Sequence, residues 1–389
     1  MTNFLGYLQG KQEQILDDLR QFVELETPTS DKMRLDDFAT FLCAYATRMT
    51  GGTAEIVEAA TGNHVVVRGG SGSQPPTLLI GHFDTVWPAG TISQMPFAID
   101  GIAARGPGIF DMKCGLVQGF WAVAAFRGLQ DRTPPFVFLC NADEETGSDT
   151  SRSLIEQECA RCGAALVLEP SLDGALKTAR KGAAYFHLTV KGRAAHAGAD
   201  PFNGVSAIDE LCRIVLNLHA QTNAKTGTTV NVGVIQGGTH SNVIAAEAHA
   251  EIDVRFATHD EESRISTIIS NLSPANGGAS ISVVGGSHRP PMERTVGTQR
   301  LFKSAERLGA HLGLQLTEAS TGGYSDGNLC AAAGLAVLDG LGPVGGGAHS
   351  DDEHVLTNAI AVRAALVAHL LQELGTSPIS DDGVQTGAT

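Results

Sequence analysis

The chain has 389 residues, 42% of them hydrophobic and 18% charged, enough apolar material for two or three domains with ordinary cores; a single small module, a collagenous chain and a disordered one are excluded. Asp and Glu outnumber Lys and Arg by 42 to 27, a formal charge of -15 without a basic cluster, so a phosphate backbone would be repelled and nucleic acid is not an expected partner. Seven cysteines, an odd count in a long chain, point to reduced thiols and a cytoplasmic setting instead of a disulfide framework.

Residues 1–20 carry Gln, Glu and Asp where a signal peptide needs a basic start and an apolar run. No stretch is expected to reach the roughly 18 apolar residues of a membrane span, so no membrane partner is expected. Ile15, Leu16, Leu19, Phe22 and Val23 recur at helical spacing, and residues 64–68 and 77–80 read as strands. Leu116, Val117, Phe120, Trp121 and Ala124 form another helical stripe, followed by a strand at 136–140, a helix at 154–162 and a strand at 164–168. Strand and helix alternating in this way predict an α/β domain with a mixed, mostly parallel sheet.

The pattern changes near residue 180. Strand 184–191, helix 205–219, strands 230–236 and 246–256, helix 261–272 and strand 280–284 follow the β-α-β-β-α-β order of a ferredoxin-like unit. Helices expected at 301–312 and 360–374 return the chain to the first core. The predicted boundaries are therefore 1–179 and 291–375 for the α/β domain, 180–290 for an inserted α+β domain, and 376–389 for a disordered tail rich in Ser, Asp, Gly and Thr.

Three predicted strands run directly into side chains able to bind metal: Leu78-Leu79-Ile80-Gly81 into His82-Phe83-Asp84, Phe138-Leu139-Cys140 into Asp143-Glu144-Glu145, and Leu166-Val167-Leu168 into Glu169. Carboxyl ends of strands form the binding crevice of open α/β sheets, so these groups can converge. Asp111 stands on a Gly/Pro loop, Gly106-Pro107-Gly108, ahead of the Leu116 helix. Any one of these acids alone reads as a solvated carboxylate or a helix cap; four strand or loop ends together do not. Period-two alternation puts His82 and Asp84 on one side, suiting a ligand and the carboxylate that orients its ring. Glu144 and Glu145 would repel each other if buried bare, which asks for a cation. The Gly345-Gly346-Gly347 loop lacks the Lys-Ser/Thr ending of a phosphate loop, and Cys159 and Cys162 have no second pair and read as inert thiols.

His82-Phe-Asp84-Thr85, Gly106-Pro-Gly108 with Asp111-Met-Lys113, Asp143-Glu-Glu145-Thr-Gly147, Glu169-Pro170, residues 192–198, Gly322-Gly323 with Ser325-Asp326-Gly-Asn328, and His349-Ser350 stand in this order. That order resembles the zinc metallopeptidase family of glutamate carboxypeptidase, acetylornithine deacetylase and succinyl-diaminopimelate desuccinylase, most of all glutamate carboxypeptidase. The resemblance implies a metal-bearing α/β catalytic domain interrupted by a ferredoxin-like dimerisation domain, and a homodimer. It implies two zinc ions bridged by Asp111, with His82 and Glu169 on one, Glu145 and His349 on the other, Asp84 orienting His82, and Glu144 as general base. Histidine and carboxylate donors without Cys suit zinc, and cobalt or manganese suit them too. His196, in Arg193-Ala-Ala-His196, is implied to reach the scissile carbonyl from the neighbouring subunit. Asn242, Arg255, Gly322 and Gly323 are implied to contact substrate, Arg255 through its planar fork, although a strand Arg also suits an ion pair with Asp253 or Glu251.

The expected activity is hydrolysis of an amide next to a free carboxylate, releasing a C-terminal amino acid such as glutamate from an N-acyl or peptide precursor. Acidic substrates are expected to be favoured because Arg180 and Lys181 precede the inserted domain. The alternatives are a deacylase removing a small acyl group from an amino acid and, in a different class, a metal-dependent binding protein without turnover.

Overall fold

The apolar runs expected as strands form the centre of a six-stranded mixed sheet in the computed structural model, which describes residues 2–130 and 132–377. Its order is Thr53–Val57, His64–Gly69, Phe136–Asn141, Thr77–His82, Ala164–Val167, Val337–Leu338. The last four pair in parallel and the first two add antiparallel ladders. Every residue of Thr77–His82, Phe136–Asn141 and Ala164–Val167 is buried, as a parallel sheet covered on both faces requires. Burying a side chain the size of Leu or Ile stabilises by roughly 1.5–3 kcal/mol, so Leu78, Leu79 and Ile80, all at 0% exposure, anchor the strand that ends in His82.

Helix Cys114–Leu129 packs so closely that a Cβ on Gly115 would lie 2.0 Å from the carbonyl oxygen of Leu168. The helix start and the strand end leading to Glu169 are thereby drawn together. Contrary to the sequence expectation, Ile109–Leu129 is long and apolar enough to cross a membrane, but 94% of its apolar window is buried inside the protein; an apolar helix covered by the sheet is a core element.

The chain forms two compact units. One contains the described residues up to Thr178, Arg294–Ser320 and the described residues from Ser325 on; the other contains Ala179–Glu293 and Thr321–Tyr324. In the second unit the order is strand Gly182–Lys191, helix Ala207–His219, strands Thr229–Gly237 and Glu247–Phe256, helix His259–Ser270 and strand Ser280–Arg289. These strands make an antiparallel sheet in the order Thr229–Gly237, Glu247–Phe256, Gly182–Lys191, Ser280–Arg289. Ala184, Phe186, Leu188 and Val190 alternate inward with Ala248, Ala250, Ile252 and Val254 to form a core with Leu211, Ile214 and Ile265 of the helices, which leaves Tyr185, His187, Glu251, Asp253 and Arg255 on the opposite face.

The expected helices start or stop a few residues from the observed Arg152–Cys159, Ala207–His219, His259–Ser270, Val296–His311 and Thr357–Leu374, and the strand expected to end at 284 continues to Arg289. Ser206 and Thr258 cap their helices by accepting from the backbone N–H groups of Asp209 and Glu261, which sets those starts. Of the expected tail, residues 378–389 lie outside the described residues. Cys159 and Cys162 are both buried and free, and burial pushes the Cys162 thiol up to about 12, in keeping with inert thiols.

Candidate metal centre

His82 is the last residue of its strand and is 1% exposed. Its Nε2 lies 3.2 Å from Asp111 Oδ1, 3.4 Å from Glu169 Oε1 and 4.0 Å from Glu144 Oε2. On the other side of Asp111, Oδ2 is 3.5 Å from His349 Nε2, which is 3.4 Å from Glu145 Oε2. All six side chains thus meet at the carboxyl ends of the strands, with Asp111 facing an imidazole through each oxygen. Donor atoms of His82, Asp111 and Glu145, and of His82, Glu144 and Glu169, lie within 4.8 Å of one another.

Asp84 departs from the expected geometry. The His82 Nδ1 lies 3.0 Å from the main-chain oxygen of Asp84 and 3.3 Å from its Oδ1, so the backbone carbonyl shares the task of holding the ring. The Asp84 carboxylate accepts the backbone N–H groups of Glu144 and Glu145, both at 3.2 Å, and the Thr29 hydroxyl at 2.9 Å. It therefore braces the turn carrying both glutamates as well as the imidazole. Asp143 takes no part in the cluster: it accepts from the Thr150 and Ser151 backbone and hydroxyl groups.

A residue that sequence reasoning missed holds the Asp111 loop. Glu353, 1% exposed, accepts the backbone N–H groups of Gly108 and Phe110 at 2.9 Å and Asp111 at 3.1 Å, and the Trp87 indole N–H at 2.7 Å. In sequence it stands beside Asp351 and Asp352, both exposed, and only its burial separates it from them. The loop also needs Gly108: its φ is 68°, and a Cβ there would lie 2.4 Å from Thr85 Cγ2.

The electrostatics ask for positive charge. Burial alone would lower the His82 imidazole, but Asp111, Asp84 and Glu169 outweigh it and hold it well above its ordinary value. Asp111 and Glu145 push His349 up to about 10. Burial raises both Glu144 and Glu145, while the two imidazoles overcome burial to hold Asp111 below the usual carboxylate range. Glu145 Oε1 is buried without a hydrogen-bond partner among the described residues, and so, apart from the His82 ring 3.2 Å away, is Asp111 Oδ1. Such oxygens are costly unless a cation takes them. Two imidazoles with clustered carboxylate oxygens fit zinc or a similar divalent ion.

The remaining expected residues lie in the second unit. His196 is exposed and its Nδ1 accepts from the backbone N–H groups of Gly198 at 3.1 Å and Ala199 at 3.0 Å. The neutral ring then carries its proton on Nε2, ready to donate. Asn242 is its neighbour, since the Ala197 N–H donates to the Asn242 main-chain oxygen at 2.9 Å. Arg255 is at the other end of strand Glu247–Phe256 and is ion-paired with Asp253 at 2.8 Å, which is the ion-pair alternative the sequence left open. Gly323 N lies 3.4 Å from Thr321 Oγ1, and a Cβ added at Gly322 would meet nothing within 4 Å. Arg180 is 3% exposed and donates to the carbonyls of Gly323 and Tyr324. It braces that loop, which removes one of the two cations behind the expected preference for acidic substrates.

Residues 178–277 match the model of a peptidase dimerisation domain. Over 380 residues the chain is 30% identical to carboxypeptidase G2 of Pseudomonas sp. (strain RS-16), covering 94% of this chain and 90% of that protein. Aminopeptidase PepT from Bacillus cereus ATCC 10987 has a similar fold, with a TM-score of 0.74 at 19% identity over 93% of this chain and 98% of that one. The YXEP protein of Bacillus subtilis, described as a dinuclear metal binding peptidase of the M20 family, gives a TM-score of 0.65 at 14% identity over 95% and 99% of the two chains.

Proposed function

The chain belongs to the M20 metallopeptidase family and is a hydrolytic enzyme of its carboxypeptidase and deacylase class; on that premise we propose that it cleaves an amide next to a free carboxylate, with two zinc ions, releasing a C-terminal amino acid of the glutamate type. The observation that carries this reading is the convergence of His82, Asp111, Glu144, Glu145, Glu169 and His349 around Asp111, each of whose oxygens faces one imidazole. When bound, a metal pair supplies a lowered water pKa and polarisation of the scissile carbonyl. His82, Asp111, Glu145, Glu169 and His349 would hold it. Glu144 takes the water's proton at its carboxylate and passes it to the leaving nitrogen. Asp84 and Glu353 keep the Glu144 turn and the Asp111 loop in place through the backbone hydrogen bonds they accept.

The substrate is an N-acyl amino acid or a peptide with a free C-terminus, its carboxylate received by Arg255, with the Gly322-Gly323 loop beside it. In a kinetic comparison of N-benzoyl and N-acetyl derivatives of Glu, Asp, Ala, Leu and Lys, each as free acid and as amide, the free acids should be turned over and the amides much less. An amide in place of the carboxylate forfeits a hydrogen bond between charged groups at Arg255, so a discrimination of tenfold or more, on the order of 1.5–3 kcal/mol, is expected. Equal rates for acid and amide would remove carboxylate recognition, and activity confined to N-acetyl compounds would make the enzyme a deacylase.

The working unit is a homodimer formed through the dimerisation domain, with His196 and Asn242 serving the partner's metal centre. Support comes from the strand geometry: from Glu247 to Arg255 an antiparallel strand spans about 27 Å at ~3.4 Å per residue, and Asn242 lies beyond its start. A dipeptide is too short to touch both Arg255 and Asn242 of one chain. Light scattering on the eluting protein should give twice the chain mass; a monomer that turns over substrate at full rate would refute the arrangement.

A further inference from the structure

The guanidinium of Arg255 already spends most of its donors. Its Nε donates to Asp253 Oδ1 at 2.9 Å and its Nη2 to Asp253 Oδ2 at 2.8 Å, which fills the side-on edge of the planar fork. The second Nη2 hydrogen goes to the Tyr185 hydroxyl at 2.9 Å. The rings of Tyr185 and Tyr324 lie 5.5 Å from the guanidinium carbon, and His288 packs its ring against both tyrosines at 5.5 and 5.8 Å. Pairing with Asp253 raises the Arg255 pKa further, so the group is held charged, flat and fixed. Simple bidentate capture of a substrate carboxylate on that side-on edge is therefore blocked.

Two kinds of donor remain. Nη1 has no acceptor among the described residues, and one of its hydrogens points along the end of the fork shared with Nη2. The Tyr185 oxygen occupies the Nη2 half of that end as an acceptor, and a phenol that accepts still has its own O–H to give. That proton also has no acceptor among the described residues. Tyr185 is 38% exposed and, with Asp253, lines a cavity of about 470 Å³ on the sheet face away from the helices.

We propose that Tyr185 is a specificity-determining residue: one carboxylate oxygen of the substrate accepts from Arg255 Nη1 and the other from the Tyr185 hydroxyl, with Asp253 acting as a positioning residue that closes the side-on edge. This deepens the reading of the enzyme as one that requires a free carboxylate and rests on it. Because Asp253 cancels the charge of Arg255, selectivity comes from two directed donors instead of net attraction. An amide cannot satisfy both: its NH₂ group has no lone pair to offer the second donor.

The test is kcat and KM for wild type and Tyr185→Phe on paired N-acyl amino acids, free acid and amide. Phenylalanine keeps the ring between Arg255 and His288 and removes the hydroxyl alone. KM for the free acid should rise roughly 10- to 100-fold, the worth of a hydrogen bond to a charged group, with kcat nearly unchanged. KM for the amide should move by no more than about twofold. An equal change on acid and amide would mean that Tyr185 merely supports the fold, and no change on either would return recognition to Arg255 alone; both overturn the proposal while leaving the enzyme's carboxylate requirement standing. If wild type itself fails to distinguish acid from amide, the requirement falls, and the proposal with it.

Discussion

Replacing Glu144 with Gln should lower kcat by about 10²–10⁴, the usual worth of general acid–base assistance, while metal content and fold are retained. Glu144 is 8% exposed at the end of a buried strand, and its carboxylate lies 4.0 Å from His82 Nε2. Burial holds it well above the ordinary carboxylate value, the direction that makes a carboxylate a better proton acceptor and then a usable acid. Glutamine has the same shape but cannot take up the water's proton. Its backbone N–H still donates to Asp84, so the turn survives the exchange. Steady-state kinetics beside elemental analysis of the same sample decide the matter: near-native turnover by the metal-loaded variant would mean that another group is the base.

Protein purified without chelator should carry close to two equivalents of metal, and Asp111→Ala should lose at least one of them together with nearly all activity. The two Asp111 oxygens face different imidazoles, His82 at 3.2 Å and His349 at 3.5 Å, so removing the carboxylate weakens both halves of the centre. A reproducible single equivalent that Asp111→Ala does not alter would rule out bridging. The affinity should also depend on pH, with a definite sign. In the metal-free cluster His349 is pushed up to about 10 and His82 is raised as well, so at neutral pH both imidazoles hold protons that a metal must displace. Apparent affinity should therefore rise with pH, about tenfold per pH unit for each proton displaced, and the competition should fade only as pH approaches 10. Competition titrations between pH 6 and 8 read this directly; a flat profile would mean that the imidazoles are not ligands.

The sequence by itself determined what depends on local pattern. Apolar runs of strand length followed at once by His82, Glu144-Glu145 and Glu169 placed those groups at strand ends, because a buried strand must stop where its charges begin. The β-α-β-β-α-β order of the inserted unit was legible for the same reason: period-two and helical stripes are set by neighbours a few residues apart. The resemblance drawn from the ordered motifs then proposed which of these groups share a metal, something no single segment could state.

Tertiary structure decided who holds whom. Glu353 supports Gly108 across 245 residues of sequence and Asp84 supports Glu144 across 60, and nothing in the local composition of Ser350-Asp351-Asp352-Glu353 marks the third acid as the buried one. Arg180 reads as a substrate-facing cation in sequence, but burial has turned it to the carbonyls of Gly323 and Tyr324. For Arg255 the sequence leaves an open fork and an ion pair with Asp253 or Glu251 both standing, and its strand neighbours decide between them: Asp253 takes one edge and Tyr185, paired opposite Asp253 in the sheet, takes half of the end. The physical reason is common to all three. A hydrogen-bonding group's partners are fixed by which distant segments the packed core returns to it, and a one-dimensional pattern carries charge and periodicity but not that return.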